Sequence, residues 1–189
     1  VKDNQLIKNE FLTVGGNTYF IGINGIMYRN TEFSICNDEG ILKSYRVDEN
    51  GHFLKGWYRE EDDYYETTTW YYYLSDGGSA QGILTVNGKT YYFDMEGEMQ
   101  TDFTIVEDGY LYYFGEDGVQ QTKQNIGKDG WVKAGKNWFY AKNNQLVKDE
   151  FLTVGQYTYY MDDYGKMRTD TSFWLYDEDT DEDKWYRVD

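Results

Sequence analysis

A short aromatic triplet recurs along the entire chain, and this repeat limits the fold more than any other feature. Its clearest copy is Tyr91-Tyr92-Phe93, which is followed by Gly97 and then by Met99. Copies recur about every 20 to 28 residues, which is the spacing of small stacked units and not of one globular core. The eight triplets are Tyr19-Phe20-Ile21, Tyr45-Arg46-Val47, Tyr72-Tyr73-Leu74, Tyr91-Tyr92-Phe93, Tyr112-Tyr113-Phe114, Trp138-Phe139-Tyr140, Tyr159-Tyr160-Met161 and Tyr186-Arg187-Val188.

Each unit also has a fixed beginning and a turn after its triplet. The apolar residues that open the units are Phe11, Phe33, Trp57, Ile83, Phe103, Trp131, Phe151 and Phe173. The turns carry Gly25, Gly51, Gly78, Gly97, Gly118 and Gly165, with Asn144 in the sixth unit.

The fourth unit shows what a single repeat forms. Ile83–Val86 is rich in β-forming residues, Asn87-Gly88 is a strong two-residue hairpin turn, and Thr90–Phe93 is the returning strand. We therefore predict one β-hairpin per unit and an all-β chain. Because an isolated hairpin is only marginally stable in water, consecutive hairpins are expected to stack and bury their faces on one another.

A second, longer period lies above the first. VKDNQLIKNEFLTVG at 1–15 returns as AKNNQLVKDEFLTVG at 141–155, and YRVD at 45–48 returns at 186–189. We interpret residues 1–189 as one repeat array, a slice of a longer array with a super-repeat of about 140 residues that restarts near residue 141.

Strand alternation separates the triplet into two faces, since neighbouring residues of a strand point in opposite directions. Positions one and three are apolar or aromatic throughout and are predicted to form the core. Position two includes Arg46 and Arg187 among aromatic residues, and a charged side chain is costly in a dry core. Position two is therefore predicted to face a groove or a partly hydrated surface.

Composition excludes several classes of function. A net charge of −16 argues against nucleic-acid and anionic-membrane partners, which need basic patches. No apolar run is long enough to cross a bilayer, and the single cysteine, Cys36, has no intrachain partner.

Catalysis has no support in the sequence, so we predict no enzymatic activity and no cofactor. One histidine, His52, offers no nucleophile relay, and no zinc spacing or phosphate loop is present. The acidic stretch DEDTDED at 177–183 lacks the glycine and terminal glutamate of an EF-hand, so it is interpreted as a solvated hairpin tip and no metal site is predicted.

The units resemble a known repeat family. GKTYYFDMEGEMQTD at 88–102, and Gly130-Trp131 with KNWFYAKNNQL at 136–146, are similar to the cell-wall-binding repeat. This repeat occurs in choline-binding proteins of Gram-positive bacteria, in glucan-binding domains of glucansucrases and in the C-terminal repeats of large clostridial toxins. The resemblance implies an elongated β-solenoid of hairpins and non-catalytic binding to cell-wall choline or carbohydrate by a secreted or surface protein of Gram-positive type.

The resemblance favours a sugar ligand over choline. In choline binders a Trp usually precedes the triplet, whereas the column predicted here keeps an aromatic residue only at Tyr71 and Trp185, and the opening Trp only at Trp57 and Trp131. Aromatic rings stack on the apolar faces of sugars. The candidate ligand-binding residues are Trp57, Tyr71, Tyr73, Tyr92, Tyr113, Trp131, Phe139, Tyr160, Trp185, Arg46 and Arg187.

A protein partner is the alternative to a polysaccharide or cell-wall polymer. Exposed Tyr, Trp and Arg residues are common anchors of protein interfaces, and the super-repeat copies a composite surface. An adhesin-type array that binds a host surface or secreted protein therefore stays open beside carbohydrate and choline binding.

Overall fold

The computed structural model describes residues 5–36, 40–177 and 181–188. All regular elements in these ranges are β-strands, so the predicted all-β fold of stacked hairpins is confirmed. Chain contacts divide the protein into two compact units, residues 1–100 and residues 101–189.

The first unit contains four two-stranded antiparallel hairpins in chain order. Their strands are β1 (Glu10–Val14) with β2 (Asn17–Ile21), β3 (Thr31–Cys36) with β4 (Leu42–Val47), β5 (Gly56–Asp62) with β6 (Thr67–Tyr73), and β7 (Gly82–Val86) with β8 (Lys89–Phe93). We refer to these as hairpins 1 to 4.

The second unit contains hairpins 5 to 8, of which the first two carry a third strand. The strands are β9 (Phe103–Glu107), β10 (Tyr110–Phe114) and β11 (Gln120–Asn125); β12 (Gly130–Ala134), β13 (Asn137–Lys142) and β14 (Gln145–Leu146); β15 (Glu150–Val154) with β16 (Tyr157–Met161); and β17 (Thr171–Asp177) with β18 (Glu182–Val188). The predicted acidic tip at 177–183 includes residues 178–180, which lie outside the described residues.

The turns form as their residues require. Asn87 and Gly88 have φ of 50° and 79°, the left-handed backbone that a tight hairpin turn needs at both central positions. After the triplet, Asp94 Oδ1 accepts hydrogen bonds from the amides of Glu96 and Glu98 at 3.1 and 2.8 Å. The chain then returns to pair Phe93 with Met99, so that each turn leads into the next hairpin.

Strand pairing shifts the predicted alignment of the third and sixth repeats by one residue. Gly56 pairs with Tyr73 as Gly82 pairs with Phe93, so the third triplet is Tyr71-Tyr72-Tyr73. In the same way Gly130 pairs with Ala141, and the sixth triplet is Phe139-Tyr140-Ala141. The predicted triplets at 72–74 and 138–140 were wrong because both overlap runs of consecutive aromatic residues, 70–73 and 138–140, where residue type alone does not identify the first position.

The opening residue is also displaced in three hairpins. Glu32, Thr104 and Ser172 pair with the middle residue of their triplets, a place that the sequence had given to the adjacent Phe33, Phe103 and Phe173.

The core lies on the third triplet position once the register is corrected. This residue is buried in seven hairpins: Ile21, Val47, Tyr73, Phe93, Phe114, Ala141 and Met161. In the second unit a further buried cluster joins hairpins 5 and 6 through Leu111, Tyr113, Ile126, Val132, Ala134, Phe139 and Ala141.

The prediction that the middle ring faces a groove is wrong for five of the eight predicted triplets. Phe20, Tyr73, Tyr113, Phe139 and Tyr160 are buried. Tyr73 and Phe139 were assigned to position two only through the one-residue error. Phe20 and Tyr160 are on the predicted face, but that face is covered.

The cover comes from the following hairpin. Phe33 stacks on Phe20 with ring centroids 4.7 Å apart, and Phe173 stacks on Tyr160 at 4.6 Å. Alternation along a strand determines which residues share a face, but the packing of the next hairpin determines whether that face is exposed to solvent.

Gly135 is expected to tolerate no side chain, because the Tyr113 ring lies where a Cβ atom would be placed. Replacing Gly135 with Ala should destabilise the second unit by about 1–2 kcal/mol for the left-handed φ of 58°. The overlap with Tyr113 should add roughly 1–3 kcal/mol. Urea denaturation measures the change.

Gly155→Ala is the matched control, since Gly155 opens the equivalent turn of hairpin 7 with φ of 64° and has no atom within 4 Å of the added Cβ. Its loss should be limited to the backbone cost. Equal destabilisation by the two substitutions would show that Tyr113 does not pack against the turn.

Candidate functional site

Two aromatic clusters of the same construction lie on hairpins 3 and 6. The Trp57 cluster consists of Trp57, Trp70, Tyr72 and Tyr91. The Trp131 cluster consists of Trp131, Trp138, Tyr140 and Tyr159. In each, three rings come from one hairpin and the fourth is a tyrosine of the next hairpin.

The geometry of the Trp57 cluster places the rings nearly at right angles. The Trp57 ring centroid lies 6.1 Å from Trp70, 5.3 Å from Tyr72 and 4.8 Å from Tyr91, with interplanar angles of 86°, 78° and 75°. Such an arrangement presents the faces of some rings and the edges of others around one point.

The Trp131 cluster repeats this geometry in the second unit. The Trp131 ring centroid lies 6.4 Å from Trp138, 5.2 Å from Tyr140 and 4.8 Å from Tyr159, with interplanar angles of 89°, 88° and 77°. Two separate parts of the sequence thus give the same arrangement to within about 0.3 Å in each centroid distance.

Strand pairing explains why these residues meet. Trp57 pairs with Tyr72, and two residues further toward the hairpin tip Arg59 pairs with Trp70. Residues two apart on a strand share a face, so all four side chains project from the same side of the hairpin. In hairpin 6 the corresponding pairs are Trp131 with Tyr140 and Lys133 with Trp138.

The tryptophans of both clusters are accessible. Trp57, Trp70 and Trp138 keep 38%, 37% and 38% of their surface exposed, and Trp131 is half-buried. A flat ring that is packed on one side and open on the other can bind a ligand without rearrangement of the backbone.

Most other hairpins carry small residues where the clusters have Trp70 and Trp138. In hairpins 1, 4 and 7 this position is a threonine whose hydroxyl bonds to a threonine across the strand pair, as in Thr85 with Thr90 at 2.9 Å. Hairpin 2 has the Ser34–Ser44 pair at 3.0 Å, and hairpin 5 has the buried Leu111. Hairpin 8 has an exposed pair, Trp174 and Trp185, with centroids 5.1 Å apart.

The structure distributes the predicted site residues among three environments. Trp57 and Trp131 belong to the two clusters, while Trp185 is exposed beside Trp174. Tyr71 and Tyr92 are half-buried outside the clusters. The predicted residues that are buried, and so present no ring face to a ligand in this structure, are Tyr73, Tyr113, Phe139 and Tyr160.

The two predicted arginines have different surroundings although their positions in the repeat are equivalent. Arg46 contacts Glu32 at 2.5 Å, Glu60 at 2.7 Å and the Tyr58 hydroxyl at 2.9 Å, and its guanidinium lies 4.4 Å from the Tyr58 ring centroid. Arg187 is exposed. Burial acts against the charge of Arg46, but hydrogen bonds and the two carboxylates outweigh it and raise the pKa of Arg46, so this guanidinium is a structural cation.

Tyr71 is also held by a carboxylate. Its hydroxyl donates to Glu98 Oε1 at 3.1 Å. Burial, reinforced by the Glu98 carboxylate, raises the pKa of Tyr71 above its ordinary value.

Sequence reasoning missed Trp70, Trp138, Tyr72, Tyr91, Tyr140 and Tyr159 as site residues. The signal was present: Gly56-Trp57 followed by Trp70-Tyr71-Tyr72-Tyr73 reproduces the Gly-Trp and Trp-Tyr-Tyr pattern of the repeat without any adjustment. Because the third and sixth repeats were misaligned by one residue, Trp70 and Trp138 were not placed in the column that precedes the triplet.

Among the described residues, no group of His, Cys, Asp and Glu is arranged to hold a metal ion. In the same part of the chain, no helix has the length and apolar character needed to span a bilayer.

Family models identify the repeats. The choline-binding repeat matches residues 80–124, and the cell wall binding repeat matches residues 9–27 and 129–144. These matches together cover less than half of the chain, and the last includes Trp131, Trp138 and Tyr140. The chain therefore contains choline-binding and cell wall binding repeats, and the resemblance noted from its sequence is confirmed. Such repeats are binding modules.

Solved structures are similar to the chain at low sequence identity. CbpJ from Streptococcus pneumoniae TIGR4 is 24% identical over 85% of this chain and 52% of that chain, with a TM-score of 0.44. The multimodular pneumococcal cell wall endolysin from phage Cp-1, complexed with choline, is 22% identical over 78% and 40%, with a TM-score of 0.43. An alternansucrase in complex with isomaltononaose is 22% identical over 94% and 15%, with a TM-score of 0.42.

The chain spans about half the length of the first of these structures, and far less of the alternansucrase. No curated protein matches the chain.

Tyr160 is expected to contribute to stability and not to provide an open surface. Its hydroxyl donates to Asp149 Oδ1 at 2.8 Å, and burial together with that carboxylate raises the pKa of Tyr160 to about 12. At pH 8, Tyr160→Phe should lower the free energy of unfolding by about 0.5–1.5 kcal/mol through loss of the hydrogen bond.

The stability difference between the wild-type chain and the Phe variant should shrink in alkali. The raised pKa means that the unfolded tyrosine, with an ordinary pKa near 10, ionises before the folded one, so the wild-type contribution is complete below pH 10 and is lost as the pH rises toward 12. The Phe variant has no such loss, and urea denaturation from pH 8 to pH 11.5 should show the gap closing. A constant gap would contradict the assigned environment.

Proposed function

We propose that this chain is a non-catalytic module that binds cell-wall polymers, and that the Trp57 and Trp131 clusters hold quaternary ammonium groups of the choline type. The observation that carries the proposal is the recurrence of one ring geometry in two hairpins whose sequences differ. Packing alone does not require it, because hairpins 1, 4 and 7 stack with threonine in place of the second tryptophan.

Cation–π attraction supplies the binding energy in this proposal. A cation over an aromatic face gains about 0.5–1 kcal/mol when exposed and about 2 kcal/mol or more when desolvated. Three or four rings around one ammonium then give a total near 4 kcal/mol, which corresponds to a dissociation constant of about 1 mM. Methyl groups on the nitrogen suit these walls, because they bury apolar area without leaving an N–H donor unpaired.

Weak individual sites are adequate for a polymer. When one site on the chain is occupied, a second contact to the same polymer becomes intramolecular and the overall affinity increases. The net charge of −16 favours a cationic group near the surface and disfavours a polyanion such as nucleic acid.

The corrected register reverses the ligand preference that the sequence gave. Sugar was favoured because, in the predicted alignment, the column before the triplet has a tryptophan only at Trp185. Trp70 and Trp138 occupy that column in the structure and face Trp57 and Trp131. This arrangement supports choline over a sugar at the two clusters.

We also propose that the parent protein is secreted or attached to the surface of a bacterium of Gram-positive type, and that this module has no enzymatic activity of its own. Support comes from the type of repeat that matches.

Carbohydrate binding is the second candidate, and one observation favours it. Trp174 and Trp185 expose 61% and 55% of their surface and offer flat rings for the apolar face of a sugar. Trp174 also lines a cavity of about 400 Å³ with the carboxylates of Asp149, Asp162 and Asp163, which can accept hydrogen bonds from sugar hydroxyls.

Isothermal titration with choline tests the first candidate. The wild-type chain should bind about two equivalents with a dissociation constant near 1 mM. Trp57→Ala and Trp131→Ala should each remove one equivalent, and the double variant should remove both, because each loses the ring that contacts all the others in its cluster.

Trp174→Ala is the control, as Trp174 is a more exposed tryptophan that belongs to neither cluster. Loss of glucan binding on Trp185→Ala, with choline binding intact, would assign sugar to hairpin 8. No choline binding by the folded wild-type chain would refute the proposal for the clusters.

A further inference from the structure

Each cluster carries one basic side chain at its rim, on the side of the hairpin tip. The Arg59 guanidinium carbon lies 5.9 Å from the Trp70 ring centroid, and Lys133 Nζ lies 5.5 Å from the Trp138 ring centroid. Both residues pair across the strands with the tryptophan they contact, and both are exposed.

The two cations differ in how they are neutralised. Arg59 Nη2 forms an ion pair with Glu61 Oε1 at 2.6 Å. The residue equivalent to Glu61 in hairpin 6 is Gly135, which has no side chain, and Lys133 forms no ion pair within the described residues. The Trp57 cluster therefore has a neutral rim, and the Trp131 cluster has a rim with one uncompensated positive charge.

An uncompensated ammonium affects a cationic ligand in two ways. It repels a bare quaternary ammonium in the cluster, and it competes for the face of Trp138. It attracts an anionic group that is joined to the ammonium by a short link, and such a group would reach the rim while the ammonium stays among the rings. At a separation of roughly 5–6 Å and in a partly exposed site, each effect is worth about threefold to tenfold in affinity.

We infer that the Trp131 cluster selects zwitterions, in which a quaternary ammonium is linked to a nearby phosphate or carboxylate, and that Lys133 determines this selectivity. The Trp57 cluster accepts the ammonium with little regard to the neighbouring charge. This inference rests on the proposed function, because it assumes that the rings hold an ammonium group.

Variants with a single remaining cluster allow each site to be measured alone. Trp57→Ala leaves the Trp131 cluster, and Trp131→Ala leaves the Trp57 cluster. Each is titrated with choline, phosphocholine and glycine betaine at the same ionic strength, and the measured quantity is the ratio of the choline dissociation constant to that of each zwitterion.

In the Trp57→Ala chain this ratio should be about 3 to 10 for phosphocholine, and it should fall as NaCl is added because the rim is exposed. Adding Lys133→Gln should bring the ratio near 1 while choline itself binds about threefold to tenfold tighter. In the Trp131→Ala chain the ratio should stay near 1. If the ratio exceeds 1 equally for both zwitterions, Lys133 recognises a negative charge of either kind. If the ratio is larger for phosphocholine than for glycine betaine, Lys133 favours the phosphate.

Lys136→Gln is the matched control, since Lys136 lies in the same hairpin but faces Glu116 at 3.4 Å and touches no ring of the cluster. It should leave the ratio unchanged. An unchanged ratio after Lys133→Gln, with choline still bound, would overturn the role of Lys133 and leave the proposed function intact. Failure of both single-cluster chains to bind choline would instead refute the proposed function and, with it, this inference.

Discussion

One ring contact recurs at four junctions between consecutive hairpins and packs each hairpin against the next. The aromatic residue that opens a hairpin packs against the first tyrosine of the next triplet: Trp57 on Tyr91 and Trp131 on Tyr159, both at 4.8 Å. Phe151 meets Tyr186 at 5.0 Å in the same way, and Phe11 meets Tyr45 at 5.4 Å. A two-stranded hairpin has too little buried surface to be stable alone, so this contact stabilises neighbouring hairpins within each of the two units.

The same contact provides the foundation of the candidate site. In hairpins 1 and 7 the opening residue is Phe, the residue before the triplet is Thr, and a ring of the following hairpin closes over the middle of the triplet. In hairpins 3 and 6 the opening residue is Trp, the residue before the triplet is also Trp, and the rings stand nearly perpendicular with open faces. The two candidate sites thus differ from hairpins 1 and 7 by two side chains placed on a contact that joins neighbouring hairpins in both cases.

The fold could be predicted from the sequence because its determinants are local. Asn87-Gly88 specifies its own turn, and the triplet spacing marks each returning strand. Of the candidate site only Trp57 and Trp131 could be predicted, because the other rings depend on register to the single residue and on cover from the next hairpin. In a run such as Trp70 to Tyr73, every choice of first residue is aromatic, and only the pairing of Gly56 with Tyr73 decides among them. Tyr160 was predicted to be accessible from alternation, which carries no information about the Phe173 ring that covers it.

The Trp57 and Trp131 clusters have the same ring geometry but differ in the charge at their rims. The strand position after Arg59 on the same face holds Glu61, whereas the equivalent position after Lys133 is the turn glycine Gly135. That glycine is itself required by the fold, because the Tyr113 ring occupies the space of its Cβ. Packing between hairpins 5 and 6 therefore prevents a carboxylate at this position and leaves Lys133 uncompensated. In a chain with 34 acidic residues, Lys133 thus has no carboxylate partner within the described ranges, and the core on the other side of the hairpin is the reason.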